Sequence, residues 1–310
     1  MTDTPHWAAQ LAGRRIVVTG AHGAIGTHLL HRLATTTAHV LCLDRVSATP
    51  RQHAVPTVRC DIRSPHLTDV IAAHHPDTVI HLAAQTHVPA SVTHPRHDAD
   101  VNIQGTIAVA EATATVGARL LFAATCAIYG VPERLPVTEN TPLAPISPYG
   151  LSKASAVHYL DWFATHHHLP VTTLILGNVY GTGTPHAVID RFITAATTNT
   201  PAVLHNHGHT TRDFIHINDV TDAFLTACTT PPLGHVNIAS GTETSIRDLH
   251  TLITHLTPTA PPQETPTRPG DIPRMKLDIT RATTLLGWHP HTDLTTGITN
   301  LLHTTTQTTE

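Results

Sequence analysis

The stretch Arg15-Ile16-Val17-Val18-Thr19-Gly20-Ala21-His22-Gly23-Ala24-Ile25-Gly26 decides the fold of this chain. Its first five residues form a largely apolar, β-branched run, which predicts a buried strand. Three glycines then follow at three-residue spacing, and an amphipathic segment begins at Ala24. Glycine permits a tight turn and lets a helix pack closely against the preceding strand. The stretch therefore predicts a strand, a glycine turn and a helix in direct succession.

The same alternation of apolar and amphipathic segments continues to about residue 177. Further short apolar runs occupy residues 39–44, 57–61, 78–82, 119–125 and 171–176, and segments with helical spacing occupy 67–73, 100–116 and 150–166. Strands that are apolar throughout and alternate with helices indicate a parallel sheet covered on both faces. We therefore predict an α/β fold with a doubly wound parallel sheet.

The pattern loosens from about Asn178, where proline and glycine interrupt shorter helical and strand-like segments. This change predicts a smaller C-terminal α/β lobe beside the sheet domain. We place the sheet domain at residues 1–177, with 212–234 returning to it, and the second lobe at 178–211 and 235–310.

The composition excludes several classes of protein. The chain has 310 residues and a formal net charge of -4, which argues against a basic nucleic-acid surface. None of its apolar runs approaches the ~20 residues of a membrane span, and Met1–Gly13 lacks a signal-peptide pattern. Its four cysteines have no CxxC spacing, as is usual in a reducing compartment. We expect a cytoplasmic protein with neither nucleic acid nor membrane as a partner.

The glycine turn is a candidate dinucleotide site. Gly20, Gly23 and Gly26 give the spacing GxxGxxG between a strand and a helix. Such glycines let the backbone approach a pyrophosphate, and the N–H groups at the helix start, where Ala24 and Ile25 lie, then face its phosphates. The GxxGxxG spacing alone is weak evidence for dinucleotide binding, and its position between a predicted strand and a predicted helix strengthens that evidence.

Two acidic positions extend this candidate site. Asp44 ends the next apolar run, where a carboxylate accepts hydrogen bonds from a ribose diol and repels a 2′-phosphate. Asp44 therefore favours NAD over NADP, although the neighbouring Arg45 keeps NADP open. Asp61 and Ile62, after the third run, are candidates for the edge of the adenine.

A candidate catalytic pair lies at Tyr149 and Lys153, four residues apart in a helical segment. Side chains at this spacing share one face of a helix. An ammonium beside a phenol favours the phenolate and lowers the pKa of the tyrosine. Lys153 is also one of only two lysines in the chain. We therefore expect Tyr149 to act as a general base and Lys153 to lower its pKa.

Taken together, these motifs resemble those of the extended short-chain dehydrogenases/reductases of the nucleotide-sugar epimerase/dehydratase group, which have a Rossmann fold. The resemblance covers nearly the full length. It rests on the glycine turn, Asp44, Asp61-Ile62, His81–Ala84, Asn102, Thr125–Gly130, Tyr149 with Lys153, Asn178–Gly181, Arg212–His216 and Arg268–Asp271.

The resemblance implies roles for residues around the cofactor. Thr125 resembles a hydroxyl that bridges the 4-hydroxyl of the sugar and the catalytic tyrosine. The segment Leu82-Ala83-Ala84 resembles one that lines the cofactor. Asn102 resembles an asparagine that holds the loop near the nicotinamide and the sugar.

The resemblance also implies substrate anchors in the second lobe. Arg212 and Arg268 resemble two arginines that bind the nucleotide diphosphate, for which bidentate guanidinium groups are suited. Asp271 resembles a carboxylate that binds the nucleotide ribose, and Asn178 an amide donor to the sugar linked to the diphosphate. Met275 stands where related enzymes sort substrates by the size of their C2 substituent, and its intermediate size leaves that choice open.

Within this family, the sequence favours a 4-epimerase. Dehydratases carry an acidic pair directly after the threonine, whereas this chain has Cys126 and Ala127, and alanine cannot take up a proton. A 4-keto-sugar reductase using NAD(P)H remains an alternative, as does a non-catalytic NAD-binding sensor or scaffold, which would typically lack the tyrosine or the lysine. The expected substrate is a UDP-hexose, although the sequence leaves its nucleobase open.

The resemblance further implies a homodimer, formed by a four-helix bundle of residues 100–116 and 150–166. It implies no metal ion, since the family needs none. The 28 histidines are spread along the chain, and we assign no metal site to them.

Overall fold

A computed structural model describes residues 6–46, 55–184, 187–257, 259–267 and 270–307. The strands are β1 (Arg15–Thr19), β2 (His39–Asp44), β3 (Thr57–Arg59), β4 (Thr78–His81), β5 (Arg119–Thr125), β6 (Val171–Leu176), β7 (Asn178–Tyr180), β8 (Val203–His205), β9 (Thr211–Arg212), β10 (Phe214–His216), β11 (Gly234–Ile238), β12 (Thr244–Ser245) and β13 (Gln263–Thr265).

The α-helices are α1 (His6–Gln10), α2 (Ala24–Leu33), α3 (Leu67–His74), α4 (Val88–Thr93), α5 (Pro95–Ala99), α6 (Gly105–Thr115), α7 (Pro148–His166), α8 (Val188–Thr197), α9 (Ile217–Thr229), α10 (Ile246–Leu256) and α11 (Leu294–Gln307). Between α5 and α6 the chain makes a π-helical segment over Asp100–Gln104. No helix in this described part of the chain combines the length and apolar character that a membrane span requires.

The central sheet has seven strands in the order β3-β2-β1-β4-β5-β6-β11, and each adjacent pair is parallel. The chain winds outward from β1 to β3, returns to β4 on the other side of β1, and winds outward again. This reversal leaves a crevice at the carboxyl ends of β1 and β4, where ligands bind in sheets of this kind. The prediction of a doubly wound parallel sheet is confirmed.

Helices bury the sheet on both faces, because its central strands are apolar on both sides. Strand β6 is buried at every position. Helices α3, α6 and α7 cover one face through residues such as Ile71, Val109 and Leu160. Helices α1, α2 and α9 cover the other face through residues such as Trp7, Leu29 and Phe224. Two hydrophobic layers thus hold the carboxyl edge of the sheet rigidly in place.

A smaller lobe lies beside this edge and has its own core. Residues of α8, α10 and α11, including Phe192, Leu249 and Ile298, pack together there. Three two-stranded sheets, β7 with β10, β8 with β13 and β9 with β12, complete it. Strand β11 belongs to the main sheet, so residues 235–238 lie with the first lobe and not with the second, where the sequence had placed them. Conversely, Arg212 in β9 and Phe214–His216 in β10 lie in the sheets of the smaller lobe, although the sequence assigns residues 212–234 to the sheet domain. The other lobe boundaries stay predictions.

Candidate active site

The glycine turn joins β1 to α2 and has little room for any other residue. Gly20 has a φ of +67°, and a Cβ there would lie 2.5 Å from the backbone nitrogen of Ala83. A Cβ on Gly26 would lie 2.5 Å from the carbonyl oxygen of Gly20, so α2 packs directly on the turn. Helix α2 starts after Gly23, and no side chain caps it. The N–H groups at its start, near Ala24, are therefore available to an anion.

Asp44 ends β2 beside this turn. Its Oδ2 accepts a hydrogen bond from the backbone N–H of His22 at 3.0 Å, and its Oδ1 accepts one from Val46 at 3.1 Å. These bonds fix a carboxylate at the glycine turn, which is the position that the NAD prediction requires. The neighbouring Arg45 is exposed.

Asp61 and Ile62 follow β3 and are both engaged with the protein. Asp61 accepts hydrogen bonds from the Nε of Arg63 at 2.9 Å and from its Nη2 at 2.7 Å. The guanidinium of Arg63 lowers the pKa of Asp61 to about 2. Ile62 is buried in the core, where its side chain meets Gly105. Their expected contact with the adenine edge stays a prediction.

The segment Leu82-Ala83-Ala84 leaves β4 next to the glycine turn. The backbone N–H of Leu82 donates to the carbonyl oxygen of Thr19 at 3.1 Å, and that of Ala83 donates to the Thr19 hydroxyl at 3.3 Å. All three residues are partly buried. The segment thus lies on the crevice at the carboxyl ends of β1 and β4.

His81, at the end of β4, is buried in a directional chain of hydrogen bonds. The hydroxyl of Thr106 donates to the carbonyl oxygen of Asn102 at 2.7 Å, so the His81 Nε2–H donates to Thr106 at 3.1 Å. The Nδ1 then accepts from Thr19 at 2.8 Å. Burial, assisted by the charge of Lys153, lowers the pKa of His81 to about 3. The imidazole is therefore neutral, with its proton on Nε2.

Asn102 connects the loop after β4 to helix α7. Its side-chain amide donates to the carbonyl oxygen of Gln85 and to the hydroxyl of Ser152, both at 3.0 Å. Its Oδ1 accepts from the backbone N–H of Gln85 at 2.9 Å. Ser152 in turn donates to the carbonyl oxygen of Tyr149 at 3.0 Å. One buried amide thus holds the loop and the first turn of α7 together, and its expected place beside the nicotinamide and the sugar stays a prediction.

Tyr149 and Lys153 lie one turn apart at the start of α7, which begins after the capping hydroxyl of Ser147. Lys153 is only 3% exposed. Its Nζ lies 4.0 Å from the centroid of the Phe122 ring, a cation–π contact in an interior position. Tyr149 is partly buried, and the side chain of Thr125 favours the charged form of its phenol.

The expected lowering of the Tyr149 pKa is not found in this structure. Burial raises the pKa of Tyr149 to about 12, and the interaction with Thr125 opposes burial only in part. Burial also lowers the pKa of Lys153 to about 7, against the charge of Asp98. The sequence indicates proximity but not burial, and burial disfavours both charged forms. Without further positive charge, the phenol is protonated.

Thr125 and Cys126 lie at the carboxyl end of β5, opposite the start of α7. The Thr125 hydroxyl accepts a hydrogen bond from the backbone N–H of Ala127 at 3.3 Å. Cys126 is buried, which raises the pKa of its thiol to about 11. The thiol is therefore a small neutral group near the phenol.

The second lobe brings two of the expected substrate anchors together. Arg212 forms an ion pair with Asp271, and its Nη1 donates to the carbonyl oxygens of Ile272 and Thr211, each at 2.7 Å. Both charged side chains are partly buried. This ion pair joins β9 to the chain segment that begins at Asp271.

The remaining anchors differ in their surroundings. The side-chain oxygen of Asn178 is buried and has no hydrogen-bond partner among the described residues. Met275 is 1% exposed and packs in the core beside α7. Arg268 lies outside the described residues. The roles of all three stay predictions.

Comparison with known proteins identifies the family. The family described as "NAD dependent epimerase/dehydratase family" matches residues 16–239. A UDP-glucose 4-epimerase of Mycolicibacterium smegmatis is 36% identical over 92% of this chain and 96% of its own length. The chain belongs to the NAD-dependent epimerase/dehydratase family.

Solved structures of this family agree with the fold. The UDP-glucose 4-epimerase of Thermotoga maritima, in a crystal structure with UDP-glucose, has a TM-score of 0.91 and 31% identity, covering 95% of this chain and 99% of that one. The enzyme of Thermus thermophilus, in complex with NAD, has a TM-score of 0.86 and 31% identity, covering 93% and 98%. The family also includes dehydratases, such as a dTDP-glucose 4,6-dehydratase of Streptomyces antibioticus.

The cofactor of this epimerase/dehydratase family member is NAD, and the chain's own residues fit it. The uncapped start of α2 suits a pyrophosphate. The carboxylate of Asp44 is fixed beside that turn with no nearby basic partner among its described hydrogen bonds. These features favour a cofactor with a free ribose diol.

Sequence reasoning missed three residues that shape the site. Ser91 accepts a hydrogen bond from the backbone N–H of Tyr149 at 3.0 Å, and Phe122 supplies the ring beside Lys153. Asp98 is buried and acts electrostatically on both members of the pair. Only Asp98 left a signal in the sequence, because an acidic residue four positions before Asn102 shares its helical face.

Proposed function

We propose that this protein catalyses the reversible 4-epimerisation of a UDP-hexose of the glucose/galactose type through a transient 4-keto sugar. The observation that carries the proposal is that the segment after Thr125 packs against the start of α7, which carries Tyr149 and the buried Lys153, on the edge of the sheet that holds the glycine turn. The names of the relatives, UDP-glucose 4-epimerases of M. smegmatis and T. maritima, support this reaction over others in the family.

In the proposed reaction, Tyr149 removes the proton of the 4-hydroxyl and later returns it. Thr125 can donate one hydrogen bond and accept another at the same time, so it can relay between the sugar hydroxyl and the phenol. NAD, when bound beside the glycine turn, would supply the acceptor for the C4 hydride and the donor for its return. For the second transfer, the sugar must turn over while its diphosphate stays bound.

Burial makes this base dependent on its ligands. The pKa of about 12 keeps the phenol of Tyr149 protonated in the protein alone. The ammonium of Lys153 and the positive charge of an oxidised nicotinamide both favour the phenolate. We therefore expect the base to form only when the cofactor is bound in its oxidised form.

The residues after Thr125 argue against dehydration. A 4,6-dehydratase needs a proton donor and acceptor there to remove water. Ala127 has no such group, and the thiol of Cys126, with its pKa raised to about 11, is a poor base at neutral pH. The site can oxidise and reduce C4, and it has no group at these positions to eliminate the 6-hydroxyl.

For the substrate, we assign Arg212 and Arg268 to the diphosphate, Asp271 to the ribose and Asn178 to the sugar linked to the diphosphate, whose hydroxyl groups can both accept and donate hydrogen bonds. The free amide oxygen of Asn178 supports this assignment, because a buried polar atom without a partner favours a ligand that supplies one. The ion pair of Arg212 with Asp271 holds both groups in place but must rearrange if each binds a different part of the substrate. Met275 would limit the space at C2.

We also infer that the partner protein is a second copy of the chain. The expected helix pair, α6 and α7, presents exposed apolar residues on α7: Leu151 is 59% exposed, Tyr159 45% and Trp162 48%. A second pair of the same helices would bury these side chains in a symmetric bundle.

The decisive experiment mixes the purified protein with UDP-galactose, without added cofactor, and separates the products by chromatography. We expect UDP-glucose to form over many turnovers with no net change in NAD. A 4-keto-sugar reductase would instead leave UDP-galactose unchanged and consume NAD(P)H in equal amount with a 4-keto sugar. Absence of turnover of any nucleotide sugar, together with absence of bound NAD(H), would overturn the enzymatic proposal.

A further inference from the structure

A carboxylate with one unpartnered oxygen is buried next to the candidate catalytic pair. Asp98, in the short helix α5, is 1% exposed. Its Oδ1 accepts hydrogen bonds from the side-chain amide of Gln85 at 2.7 Å and from that of Asn102 at 3.3 Å. Its Oδ2 is inaccessible to solvent and has no hydrogen-bond partner among the described residues. A buried carboxylate is costly unless an opposite charge compensates it.

Lys153 is the buried cation close to this carboxylate, because Asn102 donates both to Asp98 and, at 3.0 Å, to the hydroxyl of Ser152, which precedes Lys153 in α7. It is buried to 3% exposure, and none of the ion pairs within 4.0 Å in the described structure includes it. The charge of Asp98 is the one influence that raises the pKa of Lys153 against the effect of burial. The other titratable group that interacts with the ammonium is His81, which is neutral, and Tyr149 lies one turn earlier on the same helix.

We propose that Asp98 is the counter-ion of Lys153 and keeps the lysine in its charged form beside Tyr149. Asp98 is thus a positioning residue, which acts on the reaction through Lys153 and does not touch the reacting atoms. The hydrogen bonds from Gln85 and Asn102 hold Oδ1, and this leaves Oδ2 to interact with the ammonium through the low-dielectric interior. The effect on turnover rests on the proposed function, whereas the effect on the charge of Lys153 does not.

The charge of Lys153 can be measured directly because the chain has only two lysines. In the full-length protein labelled with 13C-lysine, the Cε shifts are followed against pH, and Lys276→Arg assigns the two signals. Asp98→Asn keeps an oxygen for Gln85 and Asn102 and removes the charge. We expect it to move the Lys153 midpoint down by roughly one pH unit or more. An unchanged midpoint overturns the proposal, whether or not the protein is an epimerase.

Asp100→Asn is the matched control, since it removes the same charge two residues away. Asp100 is about half exposed and pairs with Arg63, so its removal should leave the Lys153 midpoint unchanged. Asp98→Glu keeps the charge and should leave the midpoint closer to that of the unaltered protein than Asp98→Asn does. If Asp98→Glu and Asp98→Asn shift the midpoint equally, charge is not the cause and the proposal fails.

The pH dependence of kcat in Asp98→Asn is a second test of the proposal. Loss of the lysine charge should move the alkaline limb of kcat to lower pH in Asp98→Asn, with little change in KM. If Asp98→Asn does not fold, its combination with Lys153→Met decides the matter. The double variant should fold better than Asp98→Asn alone because no uncompensated ammonium remains, and an equal defect in both contradicts the counter-ion role.

Discussion

At the scale of single residues, the pKa of Tyr149 depends on the burial of its phenol as well as on its spacing from Lys153. Tyr149 and Lys153 could be paired from their spacing alone, because a helix places residues four apart on one face. The extent of their burial depends on Phe122, Asp98 and the chain segments around them, which are distant in sequence. Burial reverses the expected direction of the Tyr149 pKa, and only a three-dimensional arrangement could reveal that.

The phenolic oxygen of Tyr149 is the test of the proposed mechanism. Tyr149→Phe removes the group that takes the sugar proton and leaves the aromatic ring in place. We expect turnover of UDP-galactose to fall by about 10²–10⁴-fold, as for loss of a general base. NAD content, measured by absorbance after denaturation, should stay unchanged. Tyr159→Phe, an exposed tyrosine on the same helix, should keep its rate, and a near-normal rate in Tyr149→Phe would refute the role.

His81 predicts a specific dependence of stability on pH. Its pKa is about 3 in the folded protein, against 6.5 for an ordinary histidine, because burial excludes the charged form. The unfolded chain therefore binds the proton more readily between these values, and stability is lost as pH falls from 6.5 towards 3. The slope is ~1.4 kcal/mol per pH unit for this one group.

The measurement compares urea unfolding of the unaltered protein and His81→Gln from pH 7 to pH 4. The variant should be less stable at pH 7, because it replaces the imidazole between Thr19 and Thr106. It should lose less stability than the unaltered protein on acidification, since it cannot titrate. Parallel pH profiles would show that His81 is not the neutral, buried group described above.

At the scale of elements, the strand–turn–helix unit could be predicted because its determinants are local. The apolar run of β1, the glycines and the amphipathic α2 are consecutive, and the structure has them at the predicted positions. The π-helical segment Asp100–Gln104 could not be predicted, because it interrupts a continuous helical pattern. It lies where Asn102 turns inward to bond with Gln85 and Ser152, so tertiary contacts select it.

The glycine turn allows a matched comparison of two glycines. Gly20 and Gly117 have nearly the same φ, +67° and +68°, but a Cβ on Gly117 would have no atom within 4 Å. Gly117→Ala should cost about 1–2 kcal/mol of unfolding free energy from the left-handed backbone alone. Gly20→Ala should cost about 1–3 kcal/mol more, since its Cβ would meet the backbone of Ala83. Urea unfolding measures both.

The same two variants, Gly20→Ala and Gly117→Ala, can also be compared by the amount of NAD that each retains after purification. Gly20→Ala should lose bound NAD because the turn that carries the start of α2 must shift. Gly117→Ala, which lies in the turn after α6, should retain NAD. Equal NAD content in both variants would show that the geometry of the turn does not control cofactor binding.

At the scale of the whole molecule, buried carboxylates join parts that are far apart in the sequence. Asp213 is fully buried and accepts hydrogen bonds from the backbone N–H groups of Ser240, Gly241 and Leu277 at 2.8, 3.1 and 3.1 Å. It thereby ties β10 to the end of β11 and to the C-terminal segment. The sequence predicts the layers from their periodicity, but these ties have no periodicity, so the sequence alone predicts the wrong lobe for residues 235–238.

Exposed apolar side chains on α7 predict that the protein is a dimer. Helix α7 buries one side against the sheet and leaves Leu151, Tyr159 and Trp162 exposed along the other, at spacings of eight and three residues. Such a stripe is costly to leave in water, at roughly 25 cal/mol per Å². We expect light scattering to show that the unaltered protein is a dimer and that Trp162→Asp is a monomer. The circular dichroism spectrum of Trp162→Asp should match that of the unaltered protein, which would show that the variant keeps its fold. Leu256→Asp, at an exposed leucine on α10, should remain dimeric. A monomeric unaltered protein, or a dimer that tolerates Trp162→Asp, would exclude this face as the interface.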